Sequence, residues 1–200
     1  MPIRLGCIVE GHGEVDALPI LVRRMAAILN PPLDLQLNKP WRMKRTQMVR
    51  PGELERTVGA IARQIGRSAP ILVLLDADTD CPAELAQRLL ERCRKEHRDV
   101  FVSVVVAKCE YEAWFLAAAE SLAGRHGLPD DLTPPVDPEA IRDAKGWLYK
   151  RMPQGGGYDP MLHQAKFSRL MDINQARRSR SFRKFEKEIR NVISEHPASM

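Results

Sequence analysis

Two pairs of carboxylates carry the strongest chemical signal in the chain. Glu10 and Glu14 follow the apolar run "IRLGCIV", and Asp76 and Asp78 close a second apolar run in "ILVLLDADTD". Short runs rich in branched residues read as buried strands, so each pair stands where a strand gives way to a loop or helix. In open parallel sheets, ligand sites lie outside the carboxyl ends of the strands. If these two strands are neighbours, Glu10, Asp76 and Asp78 point into one small volume. Mutual repulsion then raises a carboxyl pKa unless a positive charge intervenes, and a cluster of oxygens alone suits Mg²⁺ or Mn²⁺. Glu14, one helical turn beyond Glu10, supplies a further ligand on this reading. It equally suits the positive end of a helix dipole, as does Asp16.

Competing motifs fail on particular residues. "DADTDCPAELAQ" opens like a calcium loop, but Cys81 occupies the glycine position and Gln87 the bidentate acid position. "EGHGEVDAL" lacks the Lys-Ser/Thr of a phosphate loop and the third glycine of a dinucleotide fingerprint. No nucleophile elbow is present. His12 reads as a loop residue beside Glu10, and Asp80, ahead of "CPAEL", as a helix cap. Cys7, Cys81, Cys93 and Cys109 are too scattered for a zinc site or a disulfide framework, so they read as reduced and mostly buried thiols.

The elements that must hold these acids alternate. Strands at 3–9, 33–37, 70–78 and 100–106 are separated by helices at about 14–29, 52–66 and 82–97, with Gly11 and Gly13 in the first loop. Pro19 sits awkwardly in the first helix, which therefore starts later or kinks there. The alternation predicts an α/β fold, a mostly parallel sheet flanked by helices. From residue 110 the pattern is all helical. "YEAWFLAAAESLAG" reads as one core-facing helix, so Trp114 and Phe115 pack the core in preference to stacking on bases. Asp137 caps a start at Pro138, "QGGG" at 154–157 is a break, and Ser181 caps the last helix. The expected organisation is an α/β core over 1–109 with a helical extension over 110–200 packed on it.

With 44% hydrophobic residues, the 200-residue chain can bury a sizeable core. Its apolar runs fall short of the roughly 20 residues of a membrane helix, and the N-terminus lacks a signal pattern, so a cytoplasmic location is expected. The net charge is +5, unevenly spread. Residues 39–50, with Arg42, Lys44 and Arg45, carry five basic side chains and no acid; residues 177–190, with Arg177, Arg178 and Arg180, carry seven basic and two acidic. Such clusters grip phosphate backbones or form solvated faces.

The pair "VEGHGE" and "LLDADTD", in this β-α-β setting, resembles the Toprim domain of topoisomerases, primases and OLD-type nucleases, and its V-E-G-x-x-E form is most similar to the OLD branch. "CEYEAWFLA", "AKGWL" and "ARRSRSF" further resemble small Toprim-like bacterial proteins encoded beside an ABC/SMC-type ATPase in phage-defence pairs. The resemblance implies a Toprim-like Rossmannoid core. It implies that Glu10, Asp76 and Asp78 are catalytic acids, that Glu14 matches the second OLD-like glutamate, and that Glu112 and Lys145 are candidates for the further acid and the lysine of that branch.

These signals lead to Mg²⁺- or Mn²⁺-dependent hydrolysis of phosphodiesters in DNA or RNA. Glu10, Glu14, Asp76 and Asp78 hold metal, Lys145 neutralises phosphate charge, and an ATPase partner supplies ATP turnover, for which the chain has no motif. A homo-oligomer is compatible with this. Two alternatives stand beside it: a non-catalytic Toprim-like subunit that regulates a partner or binds nucleic acid, and a phosphatase of haloacid-dehalogenase type with Asp76 as nucleophile.

Overall fold

A computed structural model describes residues 3–29, 34–152 and 156–194. Five parallel strands form the sheet: β1 (Ile3–Val9), β2 (Leu35–Leu37), β3 (Trp41–Arg42), β4 (Ile71–Asp76) and β5 (Val102–Ala107). Their order is β2-β1-β4-β5, and β3 pairs with the later part of β1, matching Ile8 to Trp41 and Val9 to Arg42. The α/β expectation holds. The sequence reading missed β3, because two residues are too few to show a period.

Alternation along each strand divides the core. Leu5, Cys7 and Val9 of β1, Leu72 and Leu74 of β4, and Val105 and Ala107 of β5 face one side, where α1 (His12–Leu29) packs. Ile8, Ile71, Val73, Leu75, Val104 and Val106 face the other, under α2 (Arg45–Met48), α3 (Glu53–Ile65) and α4 (Pro82–Glu96). Both faces are covered, which explains why β4 is apolar without a break until Asp76. Gly6 permits this packing: a Cβ there would stand 2.8 Å from Ile65 and 2.9 Å from Ile61 of α3.

The chain beyond Ala107 completes the α1 side. Two short helices, α5 (Ala113–Ala117) and α6 (Ala119–Leu122), replace the single helix expected there, with Ala118 leaving helical geometry between them. α7 (Ala144–Lys150), α8 (Pro160–Leu170), α9 (Ile173–Ala176) and α10 (Arg180–Ser194) follow. Phe167 of α8 and Phe182 and Phe185 of α10 share one hydrophobic cluster with Leu18, Leu21 and Met25 of α1. Residue 110 therefore marks a change of pattern while the apolar core continues across it. Trp114 and Phe115 are fully buried in an aromatic group with Tyr111, Phe167, Phe182 and Phe185.

Other boundaries differ from the sequence reading for local reasons. α1 begins at His12, two residues early, and runs through Pro19. Gly13 is thus helical. A Cβ on it would lie 2.2 Å from Gln164 Oε1 and 2.6 Å from the Pro160 carbonyl, so glycine is what lets α1 approach the start of α8. Asp137 does cap Pro138, through the Glu139 amide, but only for a three-residue 3-10 turn. The cap of α10 is Ser179, whose hydroxyl accepts from Phe182 N at 3.1 Å; Ser181 instead accepts from the Trp114 indole. Of the break expected at 154–157, residues 154 and 155 lie outside the described residues, and so does position 33 of the second strand. Among the described residues no helix is long and apolar enough to cross a membrane.

Candidate active site at the sheet switch point

From β1 the chain moves outward to β2 and β3, and then returns to β4 and on to β5 on the other flank. The reversal falls between the carboxyl ends of β1 and β4, the usual ligand position in such sheets. Glu10 follows β1 and Asp76 ends β4. Glu10 Oε2 accepts from Asp76 N at 3.2 Å, which joins the two strand ends.

Asp76 has the parity of Leu72 and Leu74, so its side chain faces the α1 side and is buried. Its Oδ1 accepts from Tyr111 N at 2.7 Å, and its Oδ2 lies 3.4 Å from Lys145 Nζ. Lys145 also stands 3.1 Å from Glu110 Oε1 and 3.3 Å from Glu112 Oε2. Glu110 accepts the Lys145 amide at 2.9 Å, and Asp143 caps α7 by accepting from Gly146 N at 2.8 Å, so the first turn of α7 is held at both groups. Glu112 is fully buried and accepts from Tyr158 Oη at 2.9 Å and Gln164 Nε2 at 2.8 Å.

Glu14 is the third residue of α1 and reaches back to the amides of Gly11 at 3.2 Å and Glu10 at 3.1 Å, the glutamate half of a capping box. Both bonds fall on Oε2. The glutamate at this spacing thus fixes the turn that carries Glu10, while remaining buried beside Glu10 and Glu112.

Electrostatics follow from this crowding. Burial raises the Glu14 carboxyl to about 7, with Glu112 and Glu10 adding to it and the Gly11 amide opposing. Burial raises Asp76 well above the aspartate range, Glu14 adding to the effect and Lys145 opposing it. Burial also raises Glu10, against the Asp76 amide. Burial works against the charge of Lys145, but Glu112, Asp76 and Glu110 outweigh it and hold the ammonium protonated.

Asp78 does not join Asp76. It has left the strand in a left-handed conformation at φ +50, its side chain is 57% exposed, and its Oδ2 lies 3.3 Å from Arg45 Nε. The cap expected of Asp80 is also absent: Cys81 is the N-cap residue of α4, without a side-chain bond, and Asp80 pairs with Arg45. Arg45 further donates to the carbonyls of Asp76 at 3.2 Å and Ala77 at 3.4 Å. It is thereby a clamp on the end of β4. Arg92 of α4 steadies this segment by donating to the carbonyls of Val49 and Arg50 and to Glu55.

The other basic candidates separate in the same way. Arg177 is bidentate to Glu186, at 2.9 and 2.8 Å, and Arg178 pairs with Glu120 at 2.7 Å, so both brace the helical part. Arg42, Lys44 and Arg180 are exposed. Glu110 was missed in the sequence; it stands three residues beyond the end of β5, and an acid soon after a strand was the available signal.

Among the described residues no three His, Cys, Asp or Glu side chains enclose a metal position. The donor chemistry nonetheless suits a hydrated Mg²⁺ or Mn²⁺. Such an ion needs only one or two carboxylates besides water and phosphate oxygens, and Glu10 and Asp78 are the accessible acids of the crevice, with Asp76 behind them. The acids also outnumber the cations Lys145 and Arg45.

Residues 9–190 match the family described as "Domain of unknown function (DUF4276)". The chain belongs to the DUF4276 family. The match runs from Val9, the last residue of β1, to within α10, so the DUF4276 unit takes in β2 to β5, the carboxylates and the helices that bring Lys145 to them. No curated protein and no solved structure matches the chain.

Proposed function

We propose that this DUF4276 protein hydrolyses phosphodiester bonds of nucleic acid with the help of Mg²⁺ or Mn²⁺, in keeping with the resemblance to Toprim and OLD-type nucleases. The observation that carries the reading is the meeting of Glu10, Asp76 and Lys145 at the switch point, from segments far apart in sequence. Glu10 and Asp76 would hold the cation, Asp78 would join them only on leaving Arg45, and Glu14 would complete their surroundings. A bound divalent cation supplies charge neutralisation for a phosphodiester approaching this acidic crevice. Lys145 orients Asp76 and adds a positive charge near the scissile group. Where it does not itself bind the cation, Glu10 would take the proton of the attacking water as the bond to the departing oxygen breaks, the cation offsetting the charge left on that oxygen. Arg45 keeps the β4 end rigid. ATP turnover comes from an ABC/SMC-type partner, and the setting is phage defence in the cytoplasm.

The test is cleavage of supercoiled DNA, linear DNA and RNA with each metal, with and without the partner ATPase. Activity that Asp76→Asn removes supports the reading, and metal-independent activity contradicts it.

One observation favours a second reading, a non-catalytic subunit that regulates its partner. Lys145 already stands within ion-pair distance of Asp76, Glu110 and Glu112, so the cluster carries a cation of its own. Inertness of the wild type with the partner present, on every substrate, would select this reading.

A further inference from the structure

Arg45, the first residue of α2, meets four groups at the end of β4, and it does not hold them equally. Its guanidinium donates to the carbonyls of Asp76 at 3.2 Å and Ala77 at 3.4 Å, and to Asp80 Oδ2 at 2.5 Å. The contact with Asp78 is an ion pair only: Oδ2 lies 3.3 Å from Nε, whose proton is already donated to the Asp76 carbonyl. Asp78 can therefore leave while three hydrogen bonds keep Arg45, and with it the end of β4, in place.

The two side chains also differ in freedom. That of Asp78 is 57% exposed, whereas that of Arg45 is 19% exposed and tied at three other points. The backbone of Asp78 is fixed, since its N–H donates to the Cys109 carbonyl at 3.0 Å, so a change of partner needs only a turn of its side chain. Giving up an ion pair of this exposure costs about 1 kcal/mol or less. Both charges act on the ligand across the switch point: after burial, which raises the Glu10 carboxyl, and the Asp76 amide, which lowers it, Asp78 raises it and Arg45 lowers it.

We propose that Arg45 and a divalent cation compete for Asp78, so that Arg45 is a built-in counter-charge that holds this carboxylate off the site until the cation replaces it. Without the cation, Asp78 rests on Arg45. With the cation on Glu10 and Asp76, Asp78 turns to join them, and Arg45 keeps Asp80 and the two carbonyls. The handover consumes part of the binding free energy of the cation, so Arg45 lowers the affinity of the site by the worth of the pair it loses. The inference rests on the metal-dependent reading of the site.

The test is Mn²⁺ binding by calorimetry, on the full chain without nucleic acid, for the wild type, Arg45→Gln, Asp78→Asn and the double variant. Removing Arg45 also removes a positive charge, and the general gain in affinity this causes appears in both backgrounds and cancels in the cycle. The expected result is a further gain of about 3- to 5-fold that is present with Asp78 and absent in the Asp78→Asn background. A gain of equal size in both backgrounds overturns the proposal. Because Arg45→Gln also frees the end of β4, a second measurement leaves Arg45 intact. With isotope-labelled arginine, the Nε–H resonance that Asp78→Asn displaces should move in the same direction when Mg²⁺ is added to the wild type, and should stay in place when Mg²⁺ is added to Asp78→Asn. A wild-type resonance that Mg²⁺ leaves unmoved also overturns it. Absence of Mn²⁺ binding in all four proteins removes this inference and the metal-dependent reading together. Mn²⁺ binding without coupling between Arg45 and Asp78 removes this inference alone; coupling without cleavage of nucleic acid removes only the phosphodiester reading.

Discussion

The ammonium of Lys145 stands 3.4 Å from Asp76 Oδ2, across 69 residues of sequence. Asp76 is brought there by strand parity and Lys145 by the first turn of α7, which Glu110 and Asp143 fix at its amides. The ion pair thus joins the sheet to the helical half of the chain, and the cluster forms only when both halves are folded together.

Lys145→Met should accordingly lower stability, because it strands Asp76, Glu110 and Glu112 together. A loss of about 2–3 kcal/mol is expected, moderated because the lysine side chain is 36% exposed. The loss should be larger at pH 8 than at pH 5, since protonation relieves the repulsion. Urea unfolding at the two pH values checks this, and an equal loss at both would remove the electrostatic explanation.

Glu14 sets a pH dependence of its own in EDTA. Its folded pKa of about 7 lies above the ordinary 4.5, so its contribution is complete below about 4.5 and is lost as pH rises through 7. Glu14→Gln keeps an acceptor for the Gly11 amide and carries no charge. The variant should match the wild type near pH 4 and exceed it by roughly 1–3 kcal/mol at pH 8. Parallel stability curves for the two proteins would contradict the assignment.

The arginines of the last segment should behave unlike one another. Arg177→Gln breaks the bidentate pair with Glu186 and should cost about 1 kcal/mol, whereas Arg180→Gln at an exposed position should change stability by less than about 0.5 kcal/mol. Thermal melts distinguish them; equal melting temperatures for the two variants would show that Arg177 is no brace.

Gly13→Ala tests the packing that places the site. The new methyl meets the Pro160 carbonyl, which cannot move freely, and Gln164, which holds Glu112. About 1–3 kcal/mol of destabilisation is expected by overpacking. A wild-type melting temperature would show that α1 and α8 have slack at this point.

How far the sequence could reveal this site depends on the range of each signal. Strands β1, β4 and β5 and the helices between them were legible, because a buried strand needs an unbroken apolar run and an amphipathic helix a 3.6-residue period. Glu10 and Asp76 followed from that pattern, as acids at strand ends. β3 and α2 were not legible, since two and four residues show no period, and with them went the clamp role of Arg45. Asp78 was misplaced for a related reason: strand alternation puts it beside Asp76, but the strand ends first and a left-handed residue turns it outward. Lys145 was reached only through family resemblance, because nothing local in "DAKGWL" indicates that its ammonium meets Asp76. The exposed and committed arginines look identical in sequence and differ only in the partners that folding brings to them.

The central claim, metal-dependent phosphodiester cleavage at the switch point, is tested most directly by Glu10→Gln. The measurement is the rate of Mn²⁺-dependent cleavage of DNA and RNA strands by wild type and variant, with the partner ATPase present, alongside their melting temperatures. The account predicts that the wild type cleaves, that the variant loses at least about 100-fold in rate, and that its melting temperature is not reduced, since a repelled carboxylate has been neutralised. A Glu10→Gln protein that cleaves at the wild-type rate, or one that loses phosphomonoester hydrolysis only when Asp76 is changed, would contradict it.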